Sequence, residues 1–189
     1  MFFLSIVCVA NSDDRFFLFI VCEANSDDWR KYYFVTELEM LSTEFPLYFN
    51  DLKDFYLGCF SSDNYPDHLK PCDFFIVNKD SSKEKGSHWM LVILSGKNIE
   101  FFDSCGTSEE FVKKFLKLNK KFVCVYNTSP VQPTVSSSCG EFCIYFAHKR
   151  LLNKDLSFGK VINRIFTSDQ DKNNKKVLEF CKDLFFQSK

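Results

Sequence analysis

The stretch "GSHWMLVILSGKNIEFFDSCG", residues 86–106, contains two apolar and aromatic runs separated by a short polar turn. The runs at 88–94 and 98–103 are rich in β-branched and aromatic residues, which is typical of β-strands. The residues "SGKN" at 95–98 are suited to a tight hairpin turn. The sequence therefore predicts two neighbouring strands joined by a hairpin.

Helical and strand-like segments are mixed along the rest of the chain. Helices precede, separate and follow the short strands, so the sequence predicts an α+β fold with a small central mixed β-sheet flanked by helices. The segments are helical or mixed pieces within 36–60, strands at 72–78 and 121–127, a helix from Cys139 to Leu152, and helices near 157–166 and 172–186.

A helix is also predicted directly after the second strand of the hairpin. Thr107, followed three residues later by Glu110, is the spacing of a capping box, in which the two side chains bond to each other's backbone. The apolar residues that follow recur with helical spacing and form one stripe. They are Phe111, Phe115 and Leu118.

Length and composition indicate one folded domain. The chain has 189 residues, 46% of them hydrophobic, and includes 24 phenylalanines. This content is sufficient for a sizeable core and excludes an intrinsically disordered protein. The formal net charge of -1 gives no general attraction to nucleic acid, although lysines cluster at 113–121 and 172–176.

The nine cysteines are scattered through apolar stretches. Their odd number argues against a disulfide framework, and the absence of a C-x-x-C pair argues against a zinc ribbon. A zinc site from Cys139, Cys143 and His148 is an open alternative that lacks a fourth ligand. We expect mostly buried free thiols in a reducing compartment, which favours a location inside the cell, in the cytoplasm or nucleus, with a virion-like particle as the alternative.

The N-terminus contains a near-exact repeat. "FFLSIVCVANSDD" at 2–14 recurs as "FFLFIVCEANSDD" at 16–28, with 11 of 13 positions identical. The apolar runs are too short to span a bilayer, and no basic segment precedes them as in a signal peptide, although the first run resembles a signal-peptide core. We predict that residues 1–28 are a duplicated leader outside the functional core, and that residues 29–189 form the domain.

Four residues are candidates for a catalytic site. His88 begins one hairpin strand and Asp103 ends the other, so antiparallel pairing would bring both to the same end of the sheet. Cys139 opens a predicted helix, whose N-terminal dipole favours a thiolate. An imidazole can take the thiol proton, a carboxylate can orient the imidazole, and an amide such as Gln132 can stabilise an oxyanion.

Each residue also has a simpler explanation. Cys139 can be a core thiol, His88 a satisfied strand histidine, Asp103 a turn residue, and Gln132 part of a loop surface. Cys143 lies one turn inside the helix between apolar neighbours, and we interpret it as a packed thiol. The joint order of the four candidates favours a catalytic site over four unrelated structural residues.

The combined motifs "GSHWMLVIL", "IEFFDSCG" and "NTSPVQPTVSSSCGEFCIYFAHKRL" resemble the adenain-type cysteine proteases. The similarity is closest to proteases of Maverick/Polinton DNA elements, and it extends more distantly to ubiquitin-like-protein proteases, which share the order His, Asp, Gln, Cys. The resemblance runs from about Phe55 to the C-terminus and does not include the repeat.

This resemblance implies a cysteine-protease fold and a role for each candidate. His88 would be the base, Asp103 its orienting partner, Gln132 the oxyanion donor and Cys139 the nucleophile at a helix N-terminus, with Trp89 flanking the groove. It implies an endopeptidase that needs no cofactor and cleaves precursor or capsid proteins, often after small residues. Adenain is stimulated by a peptide and by DNA, so the resemblance offers both as partners, but the sequence has no decisive sign of either. We expect no membrane partner, because the apolar runs are too short to span a bilayer.

Two other functions remain open from the sequence. One is an isopeptidase that removes ubiquitin-like modifiers, because that branch of the superfamily shares the catalytic order. The other is an inactive remnant that serves as a binding module, which the duplicated leader suggests. A disulfide-linked peptide at Cys105 or Cys59 is a further alternative to two plain buried thiols.

Overall fold

The computed structural model describes the backbone of the chain in six ranges and divides the chain into two units, residues 1–38 and 39–189. The described residues are 3–11, 15–23, 33–34, 40–66, 68–118 and 122–187. Among them, no helix has the length and apolar character needed to cross a membrane.

The first unit contains a three-stranded antiparallel sheet. Its strands are β1 (Phe3–Asn11), β2 (Arg15–Glu23) and β3 (Tyr33–Phe34), in the order β1-β2-β3. Each copy of the sequence repeat supplies one strand of the β1–β2 pair. The proposed boundary between 28 and 29 falls outside the described residues, and the placement of residues 1–28 outside the functional core stays a prediction.

The second unit is built around a five-stranded mixed sheet, which confirms the predicted α+β fold. The two outer strand pairs, β4–β5 and β7–β8, are parallel, and the two inner pairs are antiparallel. In spatial order the strands are β4 (Tyr56–Phe60), β5 (Phe74–Asn78), β6 (Trp89–Ser95), β7 (Asn98–Phe102) and β8 (Val123–Tyr126).

Helices lie before, between and after these strands, as the sequence predicts. Helix α3 begins at Cys139 and ends at Leu152, the predicted bounds. In its described part, the predicted helical or mixed segment 36–60 contains short helical pieces and the strand β4. The helices are α1 (Phe45–Tyr48), a 3₁₀ turn (Asn50–Leu52), α2 (Glu109–Leu118), α3 (Cys139–Leu152), α4 (Phe158–Ile165) and α5 (Gln170–Gln187).

The sheet has a hydrophobic layer on each face. Successive side chains of a strand point to opposite faces, so Phe74 and Ile76 of β5 pack with residues of α3, α4 and α5. Phe75 and Val77 instead pack with Phe111 and other residues of α2. Both faces are therefore buried, and the helical layer that contains α3 lies on the first of them.

The predicted hairpin is present between β6 and β7. These strands are antiparallel, with Leu91 opposite Phe102 and Ser95 opposite Asn98. Gly96 has a φ of 62°, a conformation that favours glycine, within the two-residue turn. The pairing brings the start of β6 and the end of β7 to the same edge of the sheet.

The predicted capping box is wrong. Helix α2 begins at Glu109, two residues after Thr107, so Thr107 does not cap it. The Thr107 hydroxyl instead donates to Asp103 Oδ2 at 3.3 Å, and its backbone N–H donates to the same oxygen at 2.7 Å. A local motif was overridden because Asp103 offers a charged acceptor close by.

A buried ion pair joins α3 to the sheet. Arg150 Nε and Nη2 bond to the two carboxylate oxygens of Glu100 at 2.6 and 2.8 Å, and both side chains are about 4% exposed. Removing one partner of such a pair typically costs about 3–5 kcal/mol, because the other charge is left buried. This contact fixes α3 against β7 and therefore helps to position its first residue.

Candidate active site

The structure brings His88 and Asp103 into direct contact. His88 immediately precedes β6 and Asp103 immediately follows β7, so the antiparallel hairpin places them side by side. The distance from His88 Nε2 to Asp103 Oδ1 is 2.7 Å. The His88 side chain is 13% exposed and the Asp103 side chain is fully buried. The pair thus keeps the imidazole within reach of solvent and holds the carboxylate inside.

Asp103 is held as a carboxylate by several hydrogen-bond donors. Burial by itself raises the pKa of Asp103. The hydrogen bond and charge of His88 lower it, as do the hydrogen bonds from the Cys105 and Thr107 N–H groups, and together they outweigh burial. The net effect lowers the pKa of Asp103. The Cys105 N–H lies 2.8 Å from Oδ1, and the Thr107 N–H lies 2.7 Å from Oδ2. An ionised carboxylate in this place orients the imidazole and stabilises its protonated form.

Asn127 holds the backbone of Asp103 and was missed by the sequence reasoning. Its side-chain oxygen accepts the Asp103 N–H at 3.0 Å, and its side-chain nitrogen donates to the Asp103 carbonyl at 2.6 Å. The same nitrogen donates to the Ser129 carbonyl at 3.1 Å. Asn127 directly follows β8, and that position after a strand was the only sequence signal available.

Cys139 is the first residue of α3 and lies beside the start of β6. The Trp89 N–H donates to Cys139 Sγ at 3.4 Å, and Trp89 Nε1 donates to the Met40 carbonyl at 2.8 Å. A Cβ on Gly140 would lie 2.9 Å from Met40 Cβ and 3.2 Å from Phe45 Cζ. The first turn of α3 therefore packs closely on the segment 40–45, and its N-terminal dipole points at the sulfur.

His88 also interacts with the Cys139 thiol. Since Nε2 is bonded to Asp103, Nδ1 is the ring nitrogen left to exchange a proton with the thiol. Burial lowers the pKa of His88, but hydrogen bonds with Asp103 and Cys139 and their charges outweigh it, and the result is a rise to about 9. The arrangement favours an imidazolium next to the Cys139 sulfur at neutral pH.

Gln132 is anchored by Ser104, the residue after Asp103. The Ser104 hydroxyl donates to Gln132 Oε1 at 2.6 Å, and the Ser104 carbonyl accepts the backbone N–H of Gln132 at 3.1 Å. Gln132 Nε2 donates to the Ser136 carbonyl at 2.7 Å. An amide nitrogen has two hydrogens, so this bond uses only one of them. The side chain is 3% exposed, which contradicts the alternative of a loop-surface residue.

Two asparagines at the start of α5 hold the loop that joins Gln132 to Cys139. Asn173 Nδ2 donates to the Val131 carbonyl at 3.0 Å. Asn174 Oδ1 accepts the hydroxyls of Ser138 at 2.5 Å and Ser136 at 3.1 Å. Both ends of the loop are thereby tied to one helix. Sequence reasoning missed this arrangement, because the partners lie about 40 positions apart.

The alternative zinc site from Cys139, Cys143 and His148 is not assembled. Cys143 is fully buried, its thiol donates to the Trp89 carbonyl at 3.5 Å, and burial raises its pKa well above the usual value. The His148 ring bonds to the Tyr48 carbonyl at 2.9 Å. In the described part of the chain, the only group of three or more metal-ligating side chains with converging atoms is His88, Asp103 and Cys105.

The raised pKa of His88 predicts a pH-dependent contribution to stability. Because the folded pKa is about 9 and the ordinary value is 6.5, the stabilisation is complete below about pH 6.5 and is lost as the pH rises through about 9. One pKa unit corresponds to 1.36 kcal/mol, so the loss is about 3 kcal/mol.

We expect urea denaturation to show this loss. As the pH rises, the free energy of unfolding of the wild type should approach that of His88→Gln. The difference in free energy of unfolding should be large at pH 6 and small at pH 9.5. An equal difference at both pH values would contradict the raised pKa of His88.

Comparisons with known proteins show little similarity. No protein-family model matches the chain, and no curated protein matches it. One similar solved structure is the crystal structure of the Se-Met ASFV pS273R protease, which is 24% identical with a TM-score of 0.33. The match covers 53% of this chain and 42% of that one, so it spans less than half of that protease. The function is therefore inferred from the geometry around His88, Asp103, Gln132 and Cys139.

Proposed function

We propose that this protein is a cysteine endopeptidase with Cys139 as its nucleophile. The observation that carries the proposal is the position of His88, which hydrogen-bonds to Asp103 through Nε2 and lies beside Cys139, the first residue of α3. This is the general arrangement of an activated thiol: a nucleophile, a base and a third group that orients the base.

Acylation would begin from the imidazolium–thiolate pair. Cys139 Sγ attacks the peptide carbonyl carbon and forms a C–S bond, and the carbonyl electrons move to the oxygen. His88 then donates its Nδ1 proton to the leaving nitrogen as the C–N bond breaks, which releases an amine and leaves a thioester. Water then adds to the thioester carbonyl carbon as His88 Nδ1 takes its proton, and the C–S bond breaks. This releases a carboxylic acid and restores the Cys139 sulfur and the protonated His88 of the starting state.

The oxyanion of each tetrahedral intermediate would be stabilised by two donors. One is the amide of Gln132, which Ser104 and Ser136 hold at a fixed orientation. The other is the backbone N–H of Cys139, which is free at a helix N-terminus. Donors fixed in advance cost no reorganisation when the charge develops.

The more specific assignment, to a type of protease and its substrates, rests on the sequence motifs. Their resemblance to adenain-type proteases, closest to those of Maverick/Polinton elements, supports precursor or capsid proteins as substrates. An activating peptide, DNA as a partner and an intracellular location are predictions from the same source and from the free thiols.

The decisive experiment offers the purified protein two kinds of substrate. One is a library of unmodified peptides, and the other is a set of ubiquitin-like modifiers fused to a reporter at their C-termini. We expect internal cleavage in the peptide library and a thioester trapped on Cys139. Cleavage of the fusions alone would identify a modifier isopeptidase. No cleavage and no trapped thiol would overturn the proposal and favour the inactive remnant that serves as a binding module.

A further inference from the structure

We propose that His88, Asp103 and Cys105 form an inhibitory binding site for a thiophilic divalent cation such as Zn²⁺. One ligand atom from each residue lies within 4.8 Å of the other two. The three atoms are an imidazole nitrogen, a carboxylate oxygen and a cysteine sulfur, which are the ligand types of zinc. Water would complete a four-coordinate site.

The ligand atoms lie near enough to reach the spacing around zinc by a small movement. Bond lengths of about 2.0–2.3 Å in a tetrahedron separate neighbouring ligand atoms by about 3.3–3.6 Å. The existing separation of His88 Nε2 and Asp103 Oδ1 is 2.7 Å, so the ring would have to withdraw by roughly half an ångström to admit the metal. His88 is the partly exposed member of the pair and precedes β6, so it is the residue with room to move.

A rigid turn holds Cys105 next to this pair. The Gly106 N–H donates to the Asp103 carbonyl at 3.0 Å, and Gly106 has a φ of 66°. A Cβ on Gly106 would lie 2.8 Å from backbone atoms of Thr128 and Ser129. The turn is thus locked against the chain after β8. Cys105 is only partly buried, so a cation in solution can reach its sulfur.

Cation binding would stop catalysis without occupying Cys139. Coordination releases the proton of His88 Nε2 and the thiol proton of Cys105 to solvent, and the remaining ring hydrogen stays on Nδ1. That nitrogen can then accept no proton from water, and donating its hydrogen to a leaving amine would create an imidazolate. This consequence rests on the proposed peptidase function, whereas the binding itself does not.

Cobalt binding tests the site independently of peptidase activity. Co²⁺ is titrated into the full chain with Cys139→Ala, and thiolate-to-cobalt charge-transfer absorption is recorded in the near ultraviolet. We expect this absorption to disappear when Cys105→Ser is added and to persist with Cys124→Ala, a control at another partly buried thiol. Absorption that persists with Cys105→Ser would overturn the site. Cys105→Ala replaces Cys105→Ser if the latter does not fold.

Zinc inhibition tests the consequence. Each variant is compared with its own metal-free rate of peptide cleavage. Loss of a ligand should raise the zinc concentration for half inhibition at least about tenfold in Cys105→Ser, since loss of an outer partner alone costs 10–100-fold. Cys124→Ala should match the wild type. Equal inhibition of Cys105→Ser and wild type would show that zinc acts elsewhere, and if the wild type cleaves nothing, the cobalt titration alone decides.

Discussion

Cys139→Ala is expected to lower the rate of peptide cleavage by on the order of 10⁶, because removing the nucleophile of a covalent mechanism removes nearly all of its chemical advantage. The matched control is Cys143→Ala, four residues further along α3. Cys143 is fully buried and its thiol donates to the Trp89 carbonyl. We expect that control to lower the free energy of unfolding and still to cleave peptides.

Labelling with a low dose of iodoacetamide provides a second measurement of the same assignment. Burial raises the pKa of Cys59 to about 12 and the pKa values of Cys105 and Cys124 to about 11. Cys139 lies next to the His88 imidazole and the N-terminus of α3, so it should be alkylated first at mildly acidic pH. Faster modification of Cys143, or activity that survives in Cys139→Ala, would contradict the role of Cys139.

Gln132→Ala is expected to slow cleavage by on the order of 10²–10³, or about 3–4 kcal/mol in the transition state. The amide takes no part in proton transfer, so alkylation of Cys139 should stay fast. His88→Ala should lose both fast alkylation and cleavage. Single-turnover cleavage and the alkylation rate, measured on the same preparations, separate an oxyanion donor from a base.

The control for Gln132 must account for its structural bonds. Gln132 bonds to Ser104 and Ser136, so its loss also costs about 1–3 kcal/mol of stability, which urea denaturation measures separately. Gln170→Ala makes the same chemical change at a glutamine whose amide contacts the Pro130 carbonyl at 3.5 Å. A rate of cleavage by Gln132→Ala within a few-fold of this control would contradict a role of Gln132 in stabilising the oxyanion.

Sequence patterns predicted the elements that depend mainly on residues close together in the sequence. The β6–β7 hairpin follows from two apolar runs around Gly96, and the start of α3 follows from the change of pattern at Cys139. The parallel pairing of β4 with β5 depends on residues distant in sequence, and no periodicity within one segment reveals it. The capping box predicted at Thr107 is wrong for a related reason, because the hydrogen-bond partner of Thr107 is Asp103, which lies outside that motif.

The same limit applies to the candidate site. Residue type and order singled out His88 and Cys139 as candidates, because the proposed chemistry requires those types. The residues that hold them are ordinary asparagines and serines. Asn127 and Ser104 become significant only when folding brings them against Asp103 and Gln132. From the sequence, Cys105 was interpreted as a plain buried thiol. Its position beside the His88–Asp103 pair depends on a turn fixed by Gly106.

The two asparagines of α5 determine when the surroundings of Cys139 can form during synthesis of the chain. Asn173 and Asn174 are translated after Cys139, yet they hold the two ends of the loop that precedes it. While a ribosome is still extending the chain, the nucleophile emerges before the residues that fix its surroundings. The proposed catalytic site is therefore completed only after α5 has also emerged and docked.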